Sequence, residues 1–101
     1  MAAPKNFARI VQHDETGFHL VLSPEPDQFF CDVAVHGCMR GDYPRFYIAC
    51  DEGEFNIRRA RDFAARLVIA ADFMDRLGYD LPTRDELRAA LVAAAPEIDF
   101  Y

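Results

Sequence analysis

The chain changes from alternating hydrophobic and polar positions in its first half to helical spacing in its second half. Segments 6–12 and 18–22 are rich in β-branched and aromatic residues, and the segment 13–17 between them, His-Asp-Glu-Thr-Gly, favours a turn. This pattern predicts a β-hairpin, with Gly17 in the left-handed conformation at the end of its loop. Alternation places Ala8, Ile10, Leu20 and Leu22 on one face, and Arg9, Val11, His13, His19 and Val21 on the other.

A second hairpin is predicted from residues 28–39 and 43–50, because both segments alternate and Gly41-Asp42 suits a two-residue turn between them. The connector 23–27 contains two prolines, which lack the N–H group that a ladder requires. We expect Val33 opposite Cys50 and Val35 opposite Ile48. One face then carries Phe29, Cys31, Val33, Val35, Met39, Phe46, Ile48 and Cys50, and the other carries Phe30, Asp32, Ala34, His36, Cys38, Arg45, Tyr47 and Ala49.

Two helices are predicted in the second half of the chain. The first follows a candidate N-cap at Asn56 and runs to about Gly78, with Arg66 among its solvent-facing charges. Its apolar stripe is expected to contain Ile57, Ala60, Ala64, Leu67, Ala71 and Met74, widened by Phe63, Ala70, Phe73 and Leu77. Thr83 and Glu86 form a capping box that opens the second helix, which ends before Pro96.

These elements predict an α+β fold, with a four-stranded antiparallel sheet of two hairpins followed by two α-helices packed on one face. A chain of 101 residues has the size of one domain, so we expect a single domain over 1–101. Within it, we expect a flexible N-terminus over 1–5 and a C-terminal tail over 96–101 that is frayed or forms a short strand. At this length the core needs neither disulfides nor a metal.

Composition favours a cytoplasmic protein. The N-terminal sequence MAAPKNFARIV has no charged segment leading into an apolar run, and no stretch approaches the roughly 20 apolar residues of a membrane helix. Cys31, Cys38 and Cys50 are odd in number and form no C-x-x-C pair, so we expect reduced thiols. Abundant alanine, and arginine in place of lysine, indicate a GC-rich bacterial or phage coding sequence.

The net charge of −6 makes this an acidic protein. A chain of that charge repels the phosphate backbone, so direct nucleic-acid binding is disfavoured. Membrane association is not expected either.

No pattern in the sequence predicts a catalytic or metal site. Cys31, His36, Cys38 and Cys50 are ligand types that zinc accepts, but strand alternation puts Cys31 and Cys50 on the opposite face from His36 and Cys38. His36 and Cys38 are two residues apart, which in a strand means roughly 6.5 to 7 Å and no direct hydrogen bond. We therefore expect no metal, no cofactor and no catalytic residue.

A partner-binding surface is the remaining candidate for function. The second face of the sheet is more apolar than a solvated face usually is, so the second helix and tail, a second copy or another protein should cover it. Aromatic and arginine side chains anchor interfaces, which favours Phe30, Arg45 and Tyr47. The acidic corner Asp51, Glu52 and Glu54 would steer a basic partner, with Arg58 and Arg59 beside it.

We therefore expect a small noncatalytic protein-binding module that inhibits or regulates a larger partner with a basic surface, which could itself bind nucleic acid. This physical profile is similar to that of phage-encoded inhibitors of bacterial defence systems, such as anti-CRISPR proteins, and of antitoxins. A homodimer is an alternative. A further alternative is a small enzyme or anionic-ligand-binding domain that uses Arg58, Arg59 and Arg61 at the helix start, or a loop with His36 and Cys38.

Overall fold

A computed structural model describes residues 6–23, 33–50, 57–78 and 80–100, except for the side chains of Arg58 and Arg59. Its elements, in chain order, are β1 (Phe7–Asp14), β2 (Gly17–Ser23), β3 (Val33–Arg40), β4 (Tyr43–Cys50), α1 (Ile57–Asp75), α2 (Arg84–Ala94) and β5 (Asp99–Phe100). The predicted α+β fold is confirmed: β1 to β4 form an antiparallel sheet, and the two helices follow it. The predicted strand segment 28–32 and the N-terminus 1–5 lie outside the described residues.

The sheet has the strand order β4-β3-β2-β1-β5. Both hairpins have the predicted register, with Ala8 opposite Leu22 in the first and Val35 opposite Ile48 in the second. Gly41 has a φ of 63° and no non-glycine residue described has a positive φ, the pattern of a type II′ turn with glycine first. The turn matches the twist of its strands, which explains why alternation in the sequence gives the correct pairs.

A bulge in β1 reverses the predicted placement of His13. The register shifts between Ile10 and Gln12, so that Gln12 pairs with His19 and His13 pairs with Phe18. Because one extra residue exchanges the two faces, His13 lies on the helix side of the sheet. Its Nε2 atom is 2.8 Å from the carbonyl oxygen of Pro82, just before α2. The prediction that His13 shares a face with His19 is therefore wrong.

Gly17 is required for a reason other than the predicted one. It is the first residue of β2, after a turn at Glu15 and Thr16, and its φ is 159° rather than the roughly +60° of the left-handed conformation. A Cβ atom at Gly17 would lie 2.1 Å from the carbonyl oxygen of Gly37 on the neighbouring strand. The glycine therefore permits close approach of two backbones.

The core lies between one face of the sheet and the helices. Its fully buried members are strand residues Ala8, Phe18, Leu20, Leu22, Val33 and Val35, helix residues Ala70, Phe73, Leu87 and Leu91, and Ile98 after α2. The rings of Phe18 and Phe73 meet edge to face at 6.4 Å, which joins β2 to α1. Within the described parts of the chain, no helix is long and apolar enough to cross a membrane.

The buried stripe of α1 is rotated from the predicted one. Ala70 and Phe73, expected to widen the stripe, are its centre, whereas Ile57 is 78% exposed. Arg66, predicted to face solvent, is only 2% exposed, and its Nη1 atom donates to Oδ1 of Asn6 at 3.4 Å. The helix begins with small alanines that give no strong directional signal, so large side chains further along decide which face is buried.

The predicted capping box at α2 is confirmed. The Thr83 hydroxyl accepts from the backbone N–H of Glu86 at 3.1 Å, and the Glu86 carboxylate accepts from the Thr83 N–H at the same distance. After the helix, β5 pairs in parallel with β1, so the tail forms a short strand.

Replacing Thr83 with alanine is expected to lower the free energy of unfolding by about 0.5 to 2 kcal/mol, because the first turn of α2 loses an acceptor. Thr83→Ser keeps the hydroxyl and is the matched control. Urea denaturation measures both. An unchanged midpoint in Thr83→Ala would contradict the role of this cap.

Candidate functional site

The face of the sheet opposite the helices is covered at one end and open at the other. Ala34 and Ser23 on this face are 3% and 1% exposed, whereas Arg45 and Ala49 on β4 are exposed and Tyr47 is 49% exposed. The helices pack on the other face and β5 pairs at the β1 edge, so the second helix and tail are not the cover. We call the exposed end, around Gln12, His19, His36, Cys38, Arg45 and Tyr47, the open face.

Three aromatic side chains form a row across the open face. The ring centroids of His19 and His36 are 4.1 Å apart, with 27° between the planes. The centroids of His36 and Tyr47 are 5.2 Å apart, with 13° between the planes. The row exists because strand pairing places His19 opposite His36 and His36 opposite Tyr47. Since the rings face one another, the row presents mainly its edges, which carry imidazole nitrogens and a phenol hydroxyl.

A shallow open cleft of about 220 Å³ lies over part of this row. It is lined by Gln12, Thr16, Gly17, Phe18, His19, His36, Gly37, Cys38 and Tyr47. Small-molecule sites usually have volumes of roughly 300 to 1,000 Å³ and enclose most of the ligand. A cleft of this size suits one or two side chains of a partner better than a substrate.

Burial and a neighbouring imidazole lower the pKa of His19. Partial burial disfavours its charged form first, and the proximity of His36 adds a repulsion when both are protonated. At neutral pH the row is therefore favoured in its uncharged, stacked form.

The stability of the protein is expected to depend on His19 below neutral pH. Because its pKa is lower in the folded state, the unfolded state binds more protons as the pH falls below about 6.5. The free energy of unfolding should then decrease with falling pH until the folded state also binds the proton. We expect His19→Gln to flatten this dependence in urea denaturation between about pH 8 and 5. Equal slopes in both proteins would contradict it.

Asp14 fixes the turn at the end of the open face. Its carboxylate accepts from the hydroxyl and the backbone N–H of Thr16, and from the side-chain amide of Gln12 at 2.9 Å. The Thr16 hydroxyl contributes most to lowering the pKa of Asp14, to about 2, and the Gln12 amide contributes next. This carboxylate is therefore ionised at neutral pH and already engaged within the turn.

The open face carries positive charge, although the whole chain is acidic. Arg9, Arg40 and Arg45 are exposed on this side of the sheet, and Asp14 is the described carboxylate among its strand residues. Glu15 and Asp42 lie in the adjacent turns. An anionic group would therefore be attracted to the open face locally.

The structure brings some of the predicted site residues together. Arg45 and Tyr47 lie on the open face as expected. His36 and Cys38 lie within β3 rather than in a loop, so the loop assignment is wrong. Their side chains share the cleft, but they are neighbours of alternate rank in a strand, a spacing that does not favour a direct hydrogen bond.

Other predicted site residues are not tested by the structure. Phe30, Asp51, Glu52 and Glu54 lie outside the described residues, as does the candidate cap Asn56. Arg58 and Arg59 belong to the first turn of α1, and their side chains are not described. Arg61 is exposed on the same helix.

Two residues of the open face were not predicted as site residues, namely His19 and Gln12. His19 was on the expected face, but its partner His36 belongs to the other hairpin, so alternation within a hairpin cannot show the row. Gln12 reaches the open face only through the bulge. A bulge leaves no signal in hydrophobic alternation that is as short as this strand.

Among the residues that the structure describes, no group of three or more histidine, cysteine or acidic side chains could hold a metal. Cys38 and Cys50 are free thiols in this part of the chain.

None of the protein-family models, curated proteins or solved structures compared with this chain matches it.

Proposed function

We propose that this protein is a noncatalytic protein-binding module that uses its open face to inhibit or regulate a larger protein. The observation that carries the proposal is the row of His19, His36 and Tyr47, which is ordered by stacking yet half exposed in the absence of a partner. Stacked rings lose little side-chain entropy on binding, because they are already fixed. This favours a surface built for contact rather than for folding.

Three features support protein binding over catalysis. The cleft is small and open, so it would not exclude water from a reaction. The aromatic and arginine content of the open face is typical of interface centres. Val11 and Tyr47 expose apolar area next to polar edges, as interfaces with a polar rim do.

The larger protein is proposed to carry a basic region as well, which would meet the acidic corner Asp51, Glu52 and Glu54. This part of the proposal rests on the sequence, because acidic side chains can compete for a surface that binds phosphates. A partner of this kind fits an inhibitor of the anti-CRISPR type or an antitoxin, acting in the cytoplasm.

Affinity capture from the native host, with the partner identified by mass spectrometry, tests the proposal. Wild-type protein is compared with Tyr47→Ala and, separately, with Glu52→Lys combined with Glu54→Lys. We expect one partner to be captured by the wild type and depleted with each variant, while circular dichroism shows an unchanged fold. Equal capture by wild type and Tyr47→Ala would contradict a role for the open face.

A further inference from the structure

We infer that the open face binds an acidic region of the protein partner, with carboxylates that meet Arg45 and the edges of the aromatic row. The inference rests on the proposed function and adds the chemistry of the surface that it recognises. It also distinguishes two regions of the partner: an acidic one at the open face and the basic one proposed for the acidic corner.

Local charge is the first observation in its favour. Arg40 and Arg45 are exposed beside the row, and the carboxylate of Asp14 is engaged by Thr16 and Gln12. The helix side of the molecule has the opposite character, with Asp72, Asp75, Asp80, Asp85, Glu86, Glu97 and Asp99 exposed there. Complementary charge selects a partner and its orientation, so the open face should receive the anionic one.

Ring orientation is the second observation. The imidazole of His36 has Tyr47 stacked on one side and His19 on the other, so both of its faces are occupied. What remains accessible are N–H and O–H edges, which donate hydrogen bonds to carboxylates. The side-chain amide of Gln12, opposite His19 in the ladder, extends the same line of donors.

Single-stranded nucleic acid is the competing anionic occupant, and the geometry disfavours it. Proteins that bind single strands offer free aromatic faces on which bases stack. Here the faces of His36 are covered by its neighbours. The net charge of −6 would also repel a long polyanion, whereas a local acidic patch on a protein meets only the open face.

An acidic occupant should bind more tightly at lower pH. Carboxylates near His19 and His36 favour the imidazolium forms, so binding takes up protons and raises the pKa of both groups. The other titratable or charged groups around the two imidazoles are Asp14 on β1, Cys38 and Arg40 on β3, and Arg45 and Tyr47 on β4. The arginines limit the protonation of the free protein, which makes the change on binding larger.

The experiment titrates isotopically labelled protein with a short oligoglutamate peptide and follows the backbone and ring signals by NMR. We expect changes centred on His19, His36, Arg45 and Tyr47, with affinity several-fold higher at about pH 5.5 than at about pH 7.5. Arg45→Glu should weaken binding about three- to tenfold. Arg84→Glu, a matched reversal in the first turn of α2 where acidic residues suit the helix, should leave it unchanged.

Each other result overturns the inference. Changes confined to the helices would place the anionic site elsewhere, and an affinity that does not depend on pH or on Arg45 would exclude the proposed contacts. Tighter binding of an oligothymidylate of equal length would favour nucleic acid. If oligoglutamate causes no change while Tyr47→Ala still prevents partner capture, the acidic occupant is wrong and the proposed function stands.

Discussion

Replacing Phe73 with alanine is expected to lower the free energy of unfolding by about 3 to 5 kcal/mol. The side chain is fully buried in α1 and packs edge to face on Phe18 of β2, so its loss leaves a cavity where the helix layer meets the sheet. Cavity formation adds to the loss of buried apolar area, which places this substitution among the most destabilising.

Urea denaturation with circular dichroism measures the effect of Phe73→Ala. The matched control is Val68→Ala on the same helix, where the side chain is 60% exposed and the change should stay within about 0.5 kcal/mol. A loss of less than about 1 kcal/mol at Phe73 would mean that α1 does not pack on the sheet through this residue.

Replacing Tyr47 with alanine is expected to weaken partner binding by at least about 2 kcal/mol, or roughly thirtyfold, because a hot-spot aromatic is removed from the centre of the interface. The same substitution should change the free energy of unfolding far less than Phe73→Ala does, since half of the ring is already in contact with solvent. Affinity is measured by titration calorimetry with the captured partner, and stability by urea denaturation.

Val92→Ser is the matched control for Tyr47→Ala. Val92 lies on α2, away from the open face, and its 45% exposure is close to that of Tyr47. We expect binding by this variant to equal that of the wild type. If Tyr47→Ala instead unfolds the protein, the ring row is part of the folding core and the binding surface lies on the helices.

The fold could be predicted to the extent that local patterns determine it. Alternation and the Gly41-Asp42 turn give the register of β3 and β4, because a two-residue loop leaves few ways to pair its strands. The Thr83 and Glu86 spacing gives the start of α2, because the two side chains satisfy backbone groups of the same turn. Both features depend on residues within one element or one hairpin.

What could not be predicted depends on contacts between distant segments. The bulge after Ile10 exchanges the faces of Gln12 and His13, and no residue type marks it. The burial of Arg66 depends on packing of α1 against the sheet, which overrides the usual preference of arginine for solvent. The candidate site follows the same rule, because the aromatic row requires β2 of one hairpin to pair with β3 of the other.

Hydroxyl-radical footprinting of the complex with the captured partner would locate the interface without any substitution. If the open face is the docking surface, oxidation of His36, Cys38 and Tyr47 should fall strongly on complex formation, while oxidation of exposed Val68 and Val92 on the helices should not change. Protection of the helices, with Tyr47 as reactive as in the free protein, would contradict docking through the open face.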